Sequence, residues 1–408
     1  LKKVLYLSYD GLTDPLGQSQ ILPYITGLSK EGYSFAIISF EKKDRFQKQK
    51  EQISKICREN GIQWLPLNYT KKPPVLSTLK DIRQLRKQAY KLVKENKIDI
   101  VHCRSYITAL VGLWLKKKWG VKMVFDMRGF WADERIDGGI WSLSNPFYRI
   151  IYRFFKKKEL QFFKEADHTI SLTYDAKKEI ESWPALKDSH APIEVIPCCV
   201  DLQLFDPSKT EQKKKEEIKN ALGILPGQKI VGYIGSIGTW YMLNEMLDFI
   251  KIYLQRNPSA IFLLVTKDEK EPILNAAATK GISTDSIKIV EGTREEVPAY
   301  IACSDFSLFF IKPAYSKRAS SPTKQGEIMA MGIPLICNDK VGDSSEVVRK
   351  YESGFVVNGF SESFYNETIE RLEVARFDPV KIRQGAEDFY SLETGVQRYV
   401  NVYKRLFS

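Results

Sequence analysis

The feature that most restricts the fold is an alternation of short, apolar, β-rich runs with longer helical stretches, and the series occurs twice. In the first half the runs are Val4–Tyr9, Ser34–Ser39, Gln63–Leu67, Asp99–His102, Lys122–Met127, His168–Leu172 and Glu194–Pro197. Helical patterns such as Gln18–Glu31, Arg45–Asn60 and Leu79–Asn96 lie between them. This predicts parallel strands joined by helical crossovers, an α/β fold. The pattern restarts with Ile230–Gly235, Ala260–Val265, Ile287–Glu291, Phe306–Ile311, Pro334–Asn338 and Phe355–Val357. Near-continuous apolar content, as in Ile261–Val265, fits strands covered on both faces. No short-period repeat is evident; what repeats is a Rossmann-like unit. The last 45 or so residues read as helices only.

A chain of 408 residues, 43% hydrophobic, is too long for one ordinary core and suits two domains. The stretch Pro197–Lys215, with Asp201, Asp206 and Pro207 ahead of a charged run, reads as the linker. The expected domains are 1–198 and 199–392. Doubly wound sheets bind ligands outside the C-terminal ends of their strands, so a cleft between two such domains is the expected site.

Charge is uneven. The net is +12 overall, but residues 1–200 hold 35 Lys and Arg against 22 Asp and Glu, and residues 201–408 hold 27 against 28. The basic half should face something anionic. No apolar run approaches the ~20 residues of a spanning helix, and the opening segment reads as a buried strand, not a signal peptide. Six cysteines without CxxC spacing read as buried thiols of a cytosolic protein. The three histidines, His102, His168 and His190, lack metal-ligand spacing, and no DxD pair follows a strand, so neither a zinc site nor a catalytic divalent ion is expected.

The most informative stretch is Ala319–Ile336. Ser321 suits a helix N-cap and Pro322 the first helical position, while Gly332 suits a left-handed C-cap, with Pro334 beyond. A helix from Pro322 to Met331 would start at the ligand-binding edge, where unpaired N–H groups and dipole potential suit phosphate. Lys324 in the first turn opposes the usual acidic preference unless an anion compensates it. Glu327, a turn further in, can accept hydrogen bonds from both hydroxyls of a ribose. A capped surface helix with a solvated Lys and Glu is the plainer alternative.

Ser321-Pro322-Thr323-Lys324-x-x-Glu327-x-x-Ala330-x-Gly332-x-Pro334 resembles the donor-binding motif of glycosyltransferase family 4. Gly342–Val348 with Gly354–Val357 is similar to the family's next segment, Val195–Phe205 to its interdomain crossing, and Gly235–Trp240 to its second-domain phosphate loop. The resemblance implies a GT-B fold, two Rossmann-like domains facing across a cleft, with a last helix, about 393–408, packing back on the first domain. It also implies retaining transfer from a nucleoside-diphosphate sugar, UDP- or GDP-linked, which is a co-substrate; no cofactor is expected. Glu327 would hold the ribose, and Ser321, Thr323 and Lys324, with Gly235 and Ser236, the diphosphate. Two departures stand out: Ala319 replaces a Glu that often contacts the donor sugar, and the second-domain loop lacks the usual Arg and Lys. Lys324 and Arg294, with Lys312 or Lys267 as further options, are the expected substitutes.

In the first half, Asp10–Gln20 is not GxGxxG, which argues against a dinucleotide oxidoreductase. Gly17 matches the family's glycine loop, with a structural turn as the alternative. Asp126–Arg135 places Arg128, Asp133 and Glu134 beyond a strand end. Arg128 cannot be a base but can stabilise departing phosphate; Asp133 or Glu134 could bind or deprotonate an acceptor hydroxyl. The alternative is an Arg–carboxylate network that fixes the loop. His102 reads as a hydrogen-bonded core or cleft-edge residue rather than a base.

Leu113–Trp119 and Pro146–Lys158 mix bulky apolar residues with cations, as helices on an anionic bilayer do, and as ordinary amphipathic helices also do. The expected partners are the donor, a glycan or lipid-linked acceptor and an anionic membrane surface, with no nucleic acid. The expected location is cytoplasmic, with the inner face of the membrane open as a peripheral site. The functional expectation is a sugar transferase of cell-surface polysaccharide or glycolipid synthesis. A GT-B nucleotide-sugar epimerase and a catalytically weak nucleotide-sugar-binding partner are the alternatives.

Overall fold

The computed structural model describes residues 2–73 and 75–408. They form two compact units, one running to Pro197 and including Leu392–Ser408, the other Cys198–Ser391.

The first unit is built on seven strands: β1 (Lys2–Ser8), β2 (Tyr33–Glu41), β3 (Gln63–Asn68), β4 (Ile100–Arg104), β5 (Lys122–Asp126), β6 (His168–Ser171) and β7 (Ile193–Val195). They pair in parallel in the order β3-β2-β1-β4-β5-β6-β7, with Leu5 opposite Ala36 on one side and Val101 on the other. The crossovers are α1 (Pro15–Gln20), α2 (Leu22–Lys30), α3 (Lys43–Glu59), α4 (Leu76–Asn96), α5 (Ser105–Trp119), α6 (Trp131–Asp137), α7 (Pro146–Glu165) and α8 (Tyr174–Ser182). Strand order runs one way from β1 to β2 and the other way from β4 to β5. Right-handed crossovers therefore put helices on both faces, which is why every residue from Val4 to Ser8 is buried. On one face α4 packs on α5 and α5 on α7.

The second unit holds β8 (Ile230–Ile234), β9 (Ile261–Val265), β10 (Ile287–Val290), β11 (Phe306–Phe309), β12 (Leu335–Asn338) and β13 (Gly354–Val357). They are parallel in the order β10-β9-β8-β11-β12-β13. Its helices are α9 (Gln212–Ala221), α10 (Leu243–Arg256), α11 (Lys270–Thr279), α12 (Val297–Ala302), α13 (Thr323–Ala330), α14 (Ser344–Lys350), α15 (Glu362–Val374) and α16 (Pro379–Tyr390). Gly326 of α13 lies where a Cβ would meet the Tyr390 side chain at 3.0 Å, so α13 and α16 approach closely. Arg383 of α16 donates to the carbonyls of Ala330 at 2.5 Å and Phe205 at 2.8 Å, holding the end of α13 to the crossing segment. The chain then returns to the first unit as α17 (Leu392–Arg405), which packs on α2 with Val396 filling the space left by Gly27.

All thirteen strand expectations have counterparts, shifted by up to two residues at either end. The single helix expected at Gln18–Glu31 is two. The chain breaks at Ile21 (φ −126°, ψ −63°) two residues before Pro23, which lacks the N–H that would continue the ladder.

Candidate functional site

In the second unit the strand order reverses between β8 and β11, so the crevice outside the ends of these strands is the ligand position for this topology. The loop after β8, the turn after β9, the segment after β10 and the start of α13 all emerge at that edge.

The start of α13 departs from the sequence expectation. Pro322, not Ser321, occupies the cap position (φ −68°, ψ 115°), and the helix begins at Thr323. The Ser321 hydroxyl instead accepts the N–H of Cys198 at 3.1 Å, because the crossing segment lies within its reach. No side chain caps the helix, so its leading amides keep their capacity for an external anion. Gly332 sits at φ +68°, the left-handed turn expected after the last helical residue.

Lys324 is the centre of the site. Its side chain is buried, and its Nζ lies 3.5 Å from the ring centroid of Tyr241 and 4.0 Å from that of Tyr233, with no hydrogen-bond partner among the described residues. Burial drives this ammonium well below the ordinary lysine range, although Glu327 and Asp268 pull the other way. The two rings offer cation–π attraction but no acceptor, so the charge is held without being satisfied. Gly235, at φ +96°, arches over it: a Cβ there would lie 3.5 Å from Nζ. Lys324 thus lies beneath the loop that lacks the usual cations. Lys267 and Lys312 are exposed.

Glu327 accepts from Arg294 Nη1 at 3.0 Å, and the guanidinium lies over the Phe205 ring, 5.4 Å from its centroid. The pair joins two residues that sequence reasoning had assigned separately. One residue was missed: Asp268, just past β9, accepts from the Ser236 hydroxyl at 3.0 Å and from the Ile237 N–H at 2.5 Å. A carboxylate three residues beyond a buried strand was the signal available. The tyrosines under Lys324 carried no signal of their own: Tyr233 lies within a strand and Tyr241 ends the glycine loop.

The first unit answers differently. Gly17 is buried, and a Cβ there would fall 2.1 Å from the Gly11 carbonyl. Its missing side chain is needed for α1 to pack on its own preceding turn, as the structural-turn alternative has it. The same turn is filled by Glu41, which accepts from the N–H groups of Leu12 at 2.8 Å and Thr13 at 3.1 Å. Asp133 is likewise engaged: Tyr152 OH and Lys156 Nζ each donate to it at 2.8 Å, so the network alternative describes it better than a free base. Glu134 is half-buried on the same short helix.

Arg128 does lie at the strand edge. It follows β5 at φ +57°, a strained setting for a non-glycine residue, with Gly129 at φ +137° after it. Its guanidinium is 3.7 Å from buried Asp126, which His102 Nε2 approaches at 3.5 Å and Arg104 Nη1 at 3.9 Å. Burial alone would raise the Asp126 carboxyl, but the Arg128 charge, the hydrogen bond from His102 and the Arg104 charge prevail and lower it. His102 is fully buried, its Nδ1 2.7 Å from Tyr403 OH of α17. It is a core residue, as the sequence suggested. The result is a cluster at the ends of β4 and β5 in which Arg104 and Arg128 face Asp126, with Asp10 accepting from Arg104 Nε at 3.2 Å.

Comparison with known proteins adds two family matches: Glycosyltransferase Family 4 over residues 21–204 and Glycosyl transferases group 1 over residues 214–388. The chain belongs to glycosyltransferase family 4. It is 23% identical over 86% of both chains to the UDP-Gal:alpha-D-GlcNAc-diphosphoundecaprenol alpha-1,3-galactosyltransferase of Escherichia coli. It is 26% identical to the putative teichuronic acid biosynthesis glycosyltransferase TuaC of Bacillus subtilis, over 55% of this chain and 52% of that one. Among solved structures it resembles a Rickettsia africae glycosyltransferase (17% identity, TM-score 0.73, 100% and 99% of the two chains covered). It also resembles Anabaena HepE in complex with UDP and glucose (14%, TM-score 0.68, 99% and 100% covered). The fold is GT-B, and the chain is a glycosyltransferase. Among the described residues no helix is long and apolar enough to cross a membrane.

Proposed function

We propose that this glycosyltransferase transfers a sugar, with retention, from a UDP- or GDP-linked donor held by the second unit to a hydroxyl of a lipid-linked or polysaccharide acceptor held by the first. The observation that carries the reading is Lys324: a buried ammonium without an acceptor, beneath a glycine loop and beside uncapped helix amides. A diphosphate at that edge would supply the missing negative charge. Glu327, oriented by Arg294, would then face the ribose.

In the transfer the acceptor oxygen bonds to the anomeric carbon as the bond to the diphosphate breaks. The bonding pair leaves on the phosphate oxygen, and the acceptor proton passes to that phosphate. Asp133 is already paired and Arg128 stays protonated, so neither serves as base. Lys324 and the α13 amides of the second unit would stabilise the leaving diphosphate. Because Lys324 and the α13 amides supply that charge, the reaction should proceed in the presence of EDTA. Ala319, where a carboxylate often contacts the donor sugar, is buried, so recognition of the sugar must come from other groups.

The test is a thermal-shift screen with UDP-, GDP-, ADP- and CMP-sugars on the wild type, Lys324→Met and Glu327→Ala, followed by a transfer assay. One nucleotide should stabilise the wild type, and both variants should lose that stabilisation. Full stabilisation of Lys324→Met would overturn the assignment. Donor binding without transfer to any acceptor would favour a sugar-nucleotide-binding partner protein.

A further inference from the structure

We propose that the outer face of α4 and α7, at the strand-end edge of the first unit, docks on an anionic lipid bilayer. The lipid-linked form of the acceptor gives this surface its purpose, and to that extent it rests on the reading above.

The helix α7 carries two apolar stripes where a soluble helix needs one. Phe155, Phe162 and Phe163 are buried, and their stripe faces the core. Phe147 (53% exposed), Ile150 (67%) and Phe154 (45%) form a second stripe at spacings of three and four, which continues into the preceding turn at Leu143. Between them the exposed side chains are Arg149, Arg153 and Lys157, and no carboxylate occurs from Ser142 to Lys158. The first turn of α4 repeats the composition. Leu76 and Leu79 are exposed beside Lys80 and Arg83, and no carboxylate occurs from Asn60 to Lys80.

Position matters as much as composition. Crossover helices run back along the strands, so their N-terminal halves lie at the C-terminal edge of the sheet. The exposed leucines of α4 open that helix, and the stripe on α7 occupies its N-terminal half. Both helices belong to the layer in which α4 packs on α5 and α5 on α7. The apolar residues thus gather at the edge where Arg104 and Arg128 end their strands.

Charge selects the occupant. Bulky apolar side chains interleaved with cations complement anionic headgroups above acyl chains. A second copy of the same face would bring like charges together. A surface of this kind would set the acceptor edge of the first unit at the depth where the polar head of a membrane-anchored acceptor emerges.

The experiment is co-sedimentation of the full chain with phosphatidylcholine vesicles, with and without phosphatidylglycerol, at low salt and at ~0.5 M salt. The comparison uses the wild type, Phe147→Ser/Ile150→Ser/Phe154→Ser and Arg149→Glu/Arg153→Glu. Wild type should pellet with the anionic vesicles and be released by salt. Both variants should partition about tenfold less or weaker still, while their melting temperature and donor-induced shift stay at the wild-type values. Failure of the wild type to bind anionic vesicles at low salt, or equal binding by the triple variant, overturns the proposal. So does self-association of the wild type, seen by sedimentation velocity, that the triple variant abolishes. Loss of the donor-induced shift in the wild type, with vesicle binding intact, would instead remove the donor-site reading and leave this surface standing.

Discussion

The two units share one topology and use the same loop in opposite ways. In each, the turn after the first strand is held by a carboxylate from the end of the second: Glu41 on Leu12 and Thr13, Asp268 on Ser236 and Ile237. In the first unit the carboxylate is buried and Gly17 lets α1 pack closely on the turn. In the second, Gly235 and Ser236 are exposed and the loop arches over an unsatisfied ammonium. A Rossmann-like edge is therefore a place where a site can be built. Whether one is built depends on whether the local charges are already neutralised.

The strongest way to break this contrast is Lys324→Met. It should lower transfer by ~100-fold or more, the scale of losing one charge-stabilising group from a transition state. The same change should leave the unliganded protein as stable as before or more so, since it removes a buried charge that lacks an acceptor. A stability loss without a loss of transfer would show that Lys324 is structural.

The next test compares the two carboxylates. Glu41→Gln should destabilise the first unit by about 2–3 kcal/mol in denaturant unfolding, because a buried acceptor of several donors becomes partly a donor itself. Asp268→Asn, at a half-buried site, should cost less than ~1 kcal/mol. Equal costs would mean that the second loop is as closed as the first.

A further test concerns acid, and its effect vanishes at neutral pH. All three histidines lie in the first unit. Burial pushes His168 down to about 4, helped by the positive charges of Arg405 and Lys177. An unfolded imidazole takes up its proton near 6.5, so between there and about pH 4 protons favour the unfolded chain. The first unit should lose stability as pH falls through that window. In His168→Gln, melting temperature should vary less with pH over the same range.

How much of this was legible beforehand follows the same division. Strands covered on both faces announce themselves as continuous apolar runs, so Ile261–Val265 and its counterparts were found nearly to the residue. Lys324 and Glu327 were legible because a cation in the first turn of a helix is locally unfavourable and asks for an explanation. The partners that make Lys324 unusual were not, since Tyr233 and Tyr241 come from a strand and a loop far from it in sequence. Gly17 misled because a glycine needed for helix–turn packing and one needed for ligand approach read alike. Asp133 misled because its partners Tyr152 and Lys156 are set by how α6 and α7 pack, which no local pattern encodes.

The central claim is that the second unit keeps a deprotonation-prone ammonium waiting for a diphosphate. Calorimetric titration with UDP and with GDP, in buffers of differing ionisation enthalpy, addresses it most directly. Above the lowered pKa of Lys324, the nucleotide that binds should do so with net uptake of a proton and with affinity that weakens as pH rises; Lys324→Met should show neither. Binding of undiminished affinity by that variant, or no proton uptake by the wild type at any pH up to the ordinary lysine range, would contradict the account.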